Sequence, residues 1–325
     1  MDAKNKIIII ILNWNGWDDT IECLESVYQI NYPNYEVILV DNNSQDDSIK
    51  KIREHFSNKT NLKSQIKDLN IKLLEYEEKT FNSINRDEKR LDQKLIILKN
   101  SKNYGYAKGN NIGMKIALKI FYPDYILLLN NDTIVDKNFL KELINATKNQ
   151  EKVGIFAPKI LNANNRHVLD STGHIISWGR VVDRGSKKID KNQYDNRIEV
   201  IGAKGAACLY KREMLESIGL FREDLVTQYE DAEFSWRAYI NSWKAIYVPQ
   251  SIVYHKIGRS IKKEDSKLLY FQRLSIKNIT STVKEYGTIK QKILFSFILL
   301  KFIITYVILV CLINSRKLIN LEKKS

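Results

Sequence analysis

The stretch Tyr125–Asp136, YILLLNNDTIVD, constrains this chain more than any other. Tyr125 and the four aliphatic residues after it run into Asn130-Asn131-Asp132 and stop. An apolar run of that length, closed by polar turn residues, predicts a strand buried on both faces. Such strands belong to sheets with helices on both sides. The strand's end would deliver Asp132 to the carboxyl edge of the sheet, where ligands gather in open α/β folds. There the carboxylate reads either as a metal–phosphate ligand or as a plain lead into the next helix, with Asp136 as the N-cap.

The flanking segments predict the rest of that sheet. Lys6–Leu12 reads as a first strand, followed by the loop Asn13-Trp14-Asn15-Gly16. Asp18 and Asp19 then open a helix through about Tyr28. Tyr35–Val40 reads as a second strand ending in Asp41-Asn42-Asn43-Ser44, with Asp46 or Asp47 capping the next helix. Neither loop is a glycine-rich phosphate cradle. A divalent metal held by carboxylates is then the natural partner for bound phosphates. Leu95–Leu98 reads as a third strand. In the KNSKNYGYAKGNNIG segment after it, Gly105 and Gly109 let the backbone pass close to a ligand. Asn103, Asn110 and Asn111 offer amide groups there.

Other segments read less sharply. Ser57–Gln93, rich in Lys, Glu, Asp and Asn, reads as a partly helical surface insertion. Leu161–Glu199 reads as irregular; within it, His174 reads as a structural loop histidine. Arg212–Ile218 predicts a short helix. Glu230-Asp231 stands at the head of another, where the helix dipole favours acids in any case. Lys244–Val248 reads as a strand, with His255 just beyond it.

Bulk properties narrow the field. Net charge is +14, which suits nucleic acid, anionic lipid or a phosphorylated substrate. The basic residues are dispersed and no nucleic-acid module is recognisable, so nucleic acid is not expected as a partner. Cys23, Cys208 and Cys311 are scattered and form no CxxC, which argues against a disulfide framework or zinc site and suits a reducing compartment. The opening MDAKNKIIIIIL reads as a buried strand rather than a signal peptide.

Six segments, in order, carry a resemblance: IIIILNWNGWDDTIECLESV, VILVDNNSQDDS, KNYGYAKGNNIG, YILLLNNDTIVD, GLFREDLVTQYEDAEFSWRA and YVPQSIVYHKIG. With these the chain resembles the family 2 glycosyltransferases, inverting nucleotide-sugar enzymes, and within them the rhamnosyltransferase-like branch. The resemblance implies the α/β GT-A (nucleotide-diphospho-sugar transferase) fold, a Rossmann-like mixed sheet flanked by helices. It implies that Asn13, Asn15, Asp41 and Asn103 hold base and ribose. It implies Mg²⁺ or Mn²⁺ on the diphosphate, held by Asp132 and His255. It implies Glu230 and Asp231 as the catalytic acids, either able to act as the base, with Asp231 the base on the family pattern and Glu230 an acceptor or metal neighbour. The family's DxD-like motif is here Asn130-Asn131-Asp132, acidic only at its last position. A sugar nucleotidyltransferase, or a non-catalytic nucleotide-sugar-binding scaffold, are the competing readings. The former normally carries a basic glycine-rich loop, and the latter needs neither Asp132 nor Asp231.

The organisation expected is a GT-A domain over 1–260, with 57–93 as its insertion, and a helical tail over 261–325. Ile293–Ile313 is almost wholly apolar and would reach roughly 30 Å as a helix, about one bilayer core. Lys301 would cost about 3 kcal/mol there, less than the many Leu, Ile, Phe and Val residues return at about −0.3 to −0.6 kcal/mol each. The tail is therefore expected to attach to a membrane, as one span or as an interfacial helix. A glycan or lipid-linked acceptor at the cytoplasmic face would suit both the tail and the basic charge.

Overall fold

Ile7–Ile11 are five consecutive β-branched residues, and none of them is exposed. Their side chains alternate, so Ile7, Ile9 and Ile11 enter one core and Ile8 and Ile10 the opposite one. A strand buried this way must lie inside a sheet covered on both sides. A computed structural model of the chain, which describes residues 5–57, 71–84, 94–148, 150–196, 198–257 and 265–322, has that arrangement.

In chain order the elements are β1 (Ile7–Asn13), α1 (Trp17–Val27), β2 (Tyr35–Asp41), α2 (Ser48–Ser57), β3 (Lys72–Glu77), β4 (Lys94–Lys99), α3 (Gly105–Ile116), β5 (Tyr125–Asn130), β6 (Thr133–Val135), α4 (Phe139–Ala146) and β7 (Val153–Asn162). There follow β8 (Asn165–Ser171), β9 (His174–Ser177), β10 (Arg180–Asp183), β11 (Glu199–Val200), β12 (Ala207–Lys211), α5 (Arg212–Ile218), α6 (Glu230–Ile240), β13 (Lys244–His255), α7 (Asp265–Tyr286) and α8 (Ile289–Glu322).

The main sheet has the order β11-β13-β7-β12-β5-β1-β2-β4-β3, with β6 on β13 and β8 on β7, while β9 and β10 form a separate hairpin. Leu24 and Val27 of α1, Ile52 of α2 and Leu140 of α4 cover one face. Met114 of α3, Leu215 of α5 and Phe234 of α6 cover the other. A third, smaller core joins Val181 of β10, Trp236 of α6, Ile279 and Val283 of α7, and Phe295 of α8.

Strand directions decide where the site falls. β1 is parallel to β2 and β5. β12 runs antiparallel to both β5 and β7, and β13 is parallel to β7. The carboxyl ends of β1, β2, β5, β7 and β13 therefore share one edge of the sheet. The amino end of β12, preceded by Lys204 and Gly205, meets them there.

Three segments differ from their sequence-based expectation. Within Ser57–Gln93, the described part supplies a strand: β3 pairs with β4 as the edge of the sheet. Residues 58–70 and 85–93 lie outside the described residues, as does the expected domain boundary near 260. The region Leu161–Glu199, expected to be irregular, holds β8 and the β9–β10 hairpin. His255 lies within a strand, as the last residue of β13, rather than beyond one. Between Val248 and Ile252 the register shifts, and Pro249-Gln250-Ser251 of β13 bulge out of the pairing with β7.

Candidate active site

Asp132 follows β5 and is buried. It does not cap α4, whose N-cap position is Asn138; Asp136 Oδ1 accepts the Asn138 N–H instead. The Asp132 carboxylate faces His255, with Oδ1 3.2 Å from Nε2. The other ring nitrogen, Nδ1, lies 2.8 Å from Asp170 Oδ2. Burial alone would lower the pKa of His255. The two carboxylates override that and push it up to about 9.

From Asp170 a line of charges continues. Lys204 Nζ donates to Asp170 Oδ1 and to Asp183 Oδ2, each at 3.1 Å. Asp183 Oδ1 lies 3.5 Å from His174 Nε2. His174 Nδ1 is 2.9 Å from Ser235 Oγ, and its Nε2 is 4.0 Å from Asp231 Oδ2. Burial would raise the Asp183 carboxyl, yet His174 and Lys204 hold it well below the usual range. Burial would lower Lys204, yet Asp183 and Asp170 keep its ammonium charged. Polar contacts thus lead from Asp132 to His174, whose Nε2 comes within 4.0 Å of Asp231.

Asp231 sits in the first turn of α6. Its Oδ2 accepts the Gly205 N–H at 2.6 Å and its Oδ1 accepts the Ala232 N–H at 2.7 Å. A side chain at Gly205 would stand 3.1 Å from the Tyr106 hydroxyl and 3.3 Å from the Asp231 carboxylate. Glycine there keeps that approach open. The Tyr106 hydroxyl ties the corner together, 2.8 Å from Gly205 O, to which it donates, and 3.0 Å from the Asn130 side chain. Glu230 has a different environment. It is buried, and its Oε2 has no hydrogen-bond partner among the described residues. Burial first, and then the neighbouring Asp231, raise its pKa far above the carboxylate range. Asp231, with 18% of its side chain exposed, is the acid of the pair that an incoming group can reach.

The four residues proposed to hold a nucleotide lie around the ends of β1, β2 and β4. Asn13 and Asp41 are register partners, and Asn13 Nδ2 donates to Asp41 Oδ1 at 2.8 Å. Ser44 Oγ donates to the same oxygen at 2.6 Å. Asn15 Oδ1 accepts the N–H groups of Gln45 and Asp46, fixing one loop to the other. Asn103 Oδ1 accepts from Asn42 Nδ2 and from the Gly105 N–H. These side chains thus build the loops as well as line them. Asn42 organises the corner from beneath, since its Oδ1 also accepts from Asn100 and from the Tyr104 N–H.

The structure therefore unites Asp132 with His255 directly, Asn13 with Asp41 directly, and Asp231 with the first pair through the charge line. Sequence reasoning gave no role to Asp183 or Lys204, and to Asp170 none beyond its place in the run Asp170-Ser171-Thr172-Gly173-His174 beside the sheet edge. His174, expected to be a structural loop residue, is buried and packed, but it lies against Asp231. The run DSTGH, with Asp170 and His174 at its ends, was the available signal.

The donor set can be tested against a divalent ion. Two ligand atoms at about 2.1 Å from one octahedral ion, at right angles, lie about 3 Å apart. The Asp132–His255 separation of 3.2 Å fits, with the ion taking the place of the proton that Nε2 shares with Asp132. Asp170 on Nδ1 orients the ring as an outer-shell carboxylate does. Among the described residues no group of three or more His, Cys, Asp or Glu forms a metal cage. Two protein donors suit an ion whose remaining positions are filled by phosphate oxygens and water.

The fold has known counterparts. A mannosyltransferase from Pyrobaculum calidifontis, solved with GDP-Man and Mn²⁺, superposes with a TM-score of 0.58 at 13% identity, over 90% of this chain and 68% of that one. GalNAc-T7, solved with UDP, GalNAc and Mn²⁺, superposes with a TM-score of 0.61 at 17% identity, over 88% of this chain and 49% of that one. The fold is thus the GT-A-like mixed sheet of glycosyltransferases. The family model described as "Glycosyltransferase like family 2" matches residues 75–273, more than half of the chain, and "Glycosyl transferase family 2" matches residues 8–88. The chain belongs to glycosyltransferase family 2.

Among curated proteins, a low-salt glycan biosynthesis hexosyltransferase, Agl10 of Haloferax volcanii, is 28% identical over 42% of this chain and 43% of its own length. A poly-beta-1,6-N-acetyl-D-glucosamine synthase of Staphylococcus epidermidis is 21% identical over 78% of this chain and 51% of its own. The chain thus spans about half the length of the curated relatives it matches.

Proposed function

We propose that the chain is an inverting glycosyltransferase that moves a sugar from a nucleoside-diphosphate donor to a hydroxyl of a glycan or lipid-linked acceptor. The observation that carries this reading is the shared sheet edge. It brings the Asp132–His255 pair, suited to a diphosphate-bound ion, into one charge line with Asp231, the accessible acid at the head of α6.

In this reading the acceptor oxygen forms its bond to the anomeric carbon from the face opposite the leaving diphosphate. The bond from that carbon to the diphosphate oxygen breaks, and its electron pair leaves with the diphosphate. Asp231 takes the hydroxyl proton, help worth roughly 10²–10⁴-fold. The N–H groups of Gly205 and Ala232 hold its carboxylate in place, and His174 supports it from the side. Asp132 and His255 would hold Mg²⁺ or Mn²⁺, which when bound stabilises the charge growing on the leaving group. Asn13, Asn15, Asp41 and Asn103 frame the base and ribose. Six segments in family order support the rhamnosyltransferase-like branch, and with it rhamnose on a deoxythymidine or uridine diphosphate donor.

Residues 1–260 act as the catalytic domain and 261–325 as a tail that attaches the enzyme to the cytoplasmic face of the membrane. Supporting this, Ile289–Ile308 has a mean hydropathy of 1.8 and only 6% of that stretch is buried.

The test is nucleoside diphosphate release by the purified chain across a panel of nucleotide sugars, with Mg²⁺ or Mn²⁺ and with EDTA. Many transferases slowly hydrolyse their donor, so no acceptor is needed. Release from one donor, abolished by EDTA, is the expected result. Absence of both release and binding for every donor would overturn the proposal.

A further inference from the structure

α8 is apolar on two opposite sides. One side packs against the domain: Phe295 is buried, with Ile298, Leu299 and Phe302 beside it, against α7 and β10. The other side is bare. Ile289, Ile293, Phe297, Leu300 and Ile304 recur at helical spacing and are 46–79% exposed together with Ile303, Val307 and Ile308. Exposed Lys290 and Lys301 border this stripe on one flank and Lys292 on the other.

The turn of the β9–β10 hairpin is fitted to α8. Gly179 has φ +73°, and a side chain there would run into the Gln291 carbonyl oxygen and stand 3.1 Å from the Phe295 nitrogen. Its neighbour Trp178 is 63% exposed. Arg180 lies over the Phe302 ring at 5.4 Å.

From these contacts we infer that α8 lies along a membrane surface, as a seam between the domain and the lipid, with Trp178 beside it, and does not cross the bilayer. The inference rests on the proposal that the tail attaches to a membrane. Two alternatives conflict with the contacts. An upright helix with Ile289–Ile308 in hydrocarbon would drag α7 and the hairpin, with Arg180 and Glu285, in with it. An upright helix inserted only beyond Phe302 would leave Ile289, Ile293, Phe297 and Leu300 facing water. A helix lying flat buries the whole stripe, lets the lysines reach headgroups and places Trp178 at the interface it favours. The partner is thus a lipid surface, anionic by complementarity to Lys290, Lys292 and Lys301.

One consequence concerns the acceptor. The far end of the hairpin pairs Asp183 with His174, which lies beside Asp231. Three residues of strand span roughly 10 Å. The hydroxyl to be glycosylated is therefore held close to the lipid surface, as on a lipid-linked carrier.

The test uses the full chain on phosphatidylcholine–phosphatidylglycerol vesicles. Ile293 and Cys311 are both exposed and lie five whole turns apart, on one face of α8. Spin labels are placed singly at Cys311, and at position 293 in Ile293→Cys combined with Cys311→Ser. Equal, shallow depths are expected. Depths differing by roughly 27 Å, the rise over that interval, would overturn the inference while leaving the attachment intact. Failure to cosediment with vesicles would overturn both, and self-association by light scattering would then assign the stripe to a second copy of the chain. Trp178→Phe should remove part of the fluorescence quenching by brominated lipids; unchanged quenching counts against the hairpin's place at the surface.

Discussion

His255 Nε2 lies 3.2 Å from Asp132 Oδ1, although the two residues leave the sheet from β13 and β5. The ring is held there from behind by Asp170 at 2.8 Å. In the proposed metal site Asp170 would be an outer-shell carboxylate, a role that typically contributes 10–100-fold to metal affinity. Asp170→Asn should therefore raise the Mn²⁺ concentration needed for half-maximal donor binding by about that factor. Titration of donor binding against Mn²⁺ checks this, and an unchanged midpoint would separate Asp170 from the metal's role.

Lys204 holds two carboxylates at once. Asp183 has its pKa lowered, so its contribution to stability is present above the unfolded value of about 3.9 and is lost as pH falls through the folded value. Lys204 has its pKa raised, so its contribution is present below about 10.4 and is lost as pH rises beyond it. Both hold at neutral pH. Lys204→Met leaves Asp170 and Asp183 without their shared cation and should cost roughly 3 kcal/mol. Denaturant unfolding checks the size of the loss. Adding Asp183→Asn should recover part of it, because the two sites share one interaction.

Glu230 works in the opposite sense. Burial and Asp231 raise its folded pKa, so the folded state retains a proton that the unfolded state releases above about 4.3. Stability therefore falls as pH rises from there toward the folded value. Glu230→Gln removes this slope. Its melting temperature should exceed that of the wild type at neutral pH and approach it near pH 4. A variant less stable than the wild type at neutral pH would show that Glu230 is ionised and partnered in the fold.

The central sheet was legible because its signals are local. Runs such as IIIIILN and YILLLN are buried on both faces and need no context. β3 was not legible, because KLLEYE mixes apolar and charged residues in a way that only its place explains. As an edge strand it is half exposed, and Glu75 is paired with Arg53 and Lys99. β8, β9 and β10 were missed for a related reason. β9 and β10 have only four residues each, and β8 opens on the exposed Asn165-Arg166-His167, so no long apolar run marks them even though each pairs with a neighbour in the chain, β8 with β7 and β9 with β10.

The site divides in the same way. Asp132 and Asp231 stand at ends of elements that the sequence marks clearly. Asp170, Asp183 and Lys204 acquire meaning only when the reversed strand β12 brings its leading residues to the carboxyl edge of its neighbours. No spacing within the sequence announces that meeting.

In the proposed reaction Asp231 removes the acceptor's proton at a site where the donor binds independently of it. The most direct measurement is turnover and donor affinity of Asp231→Asn beside the wild type, with the donor that the panel identifies. An unchanged donor Kd, within about twofold, is expected, with kcat lowered by roughly 10²–10⁴-fold. Full turnover in Asp231→Asn would contradict Asp231 as the base.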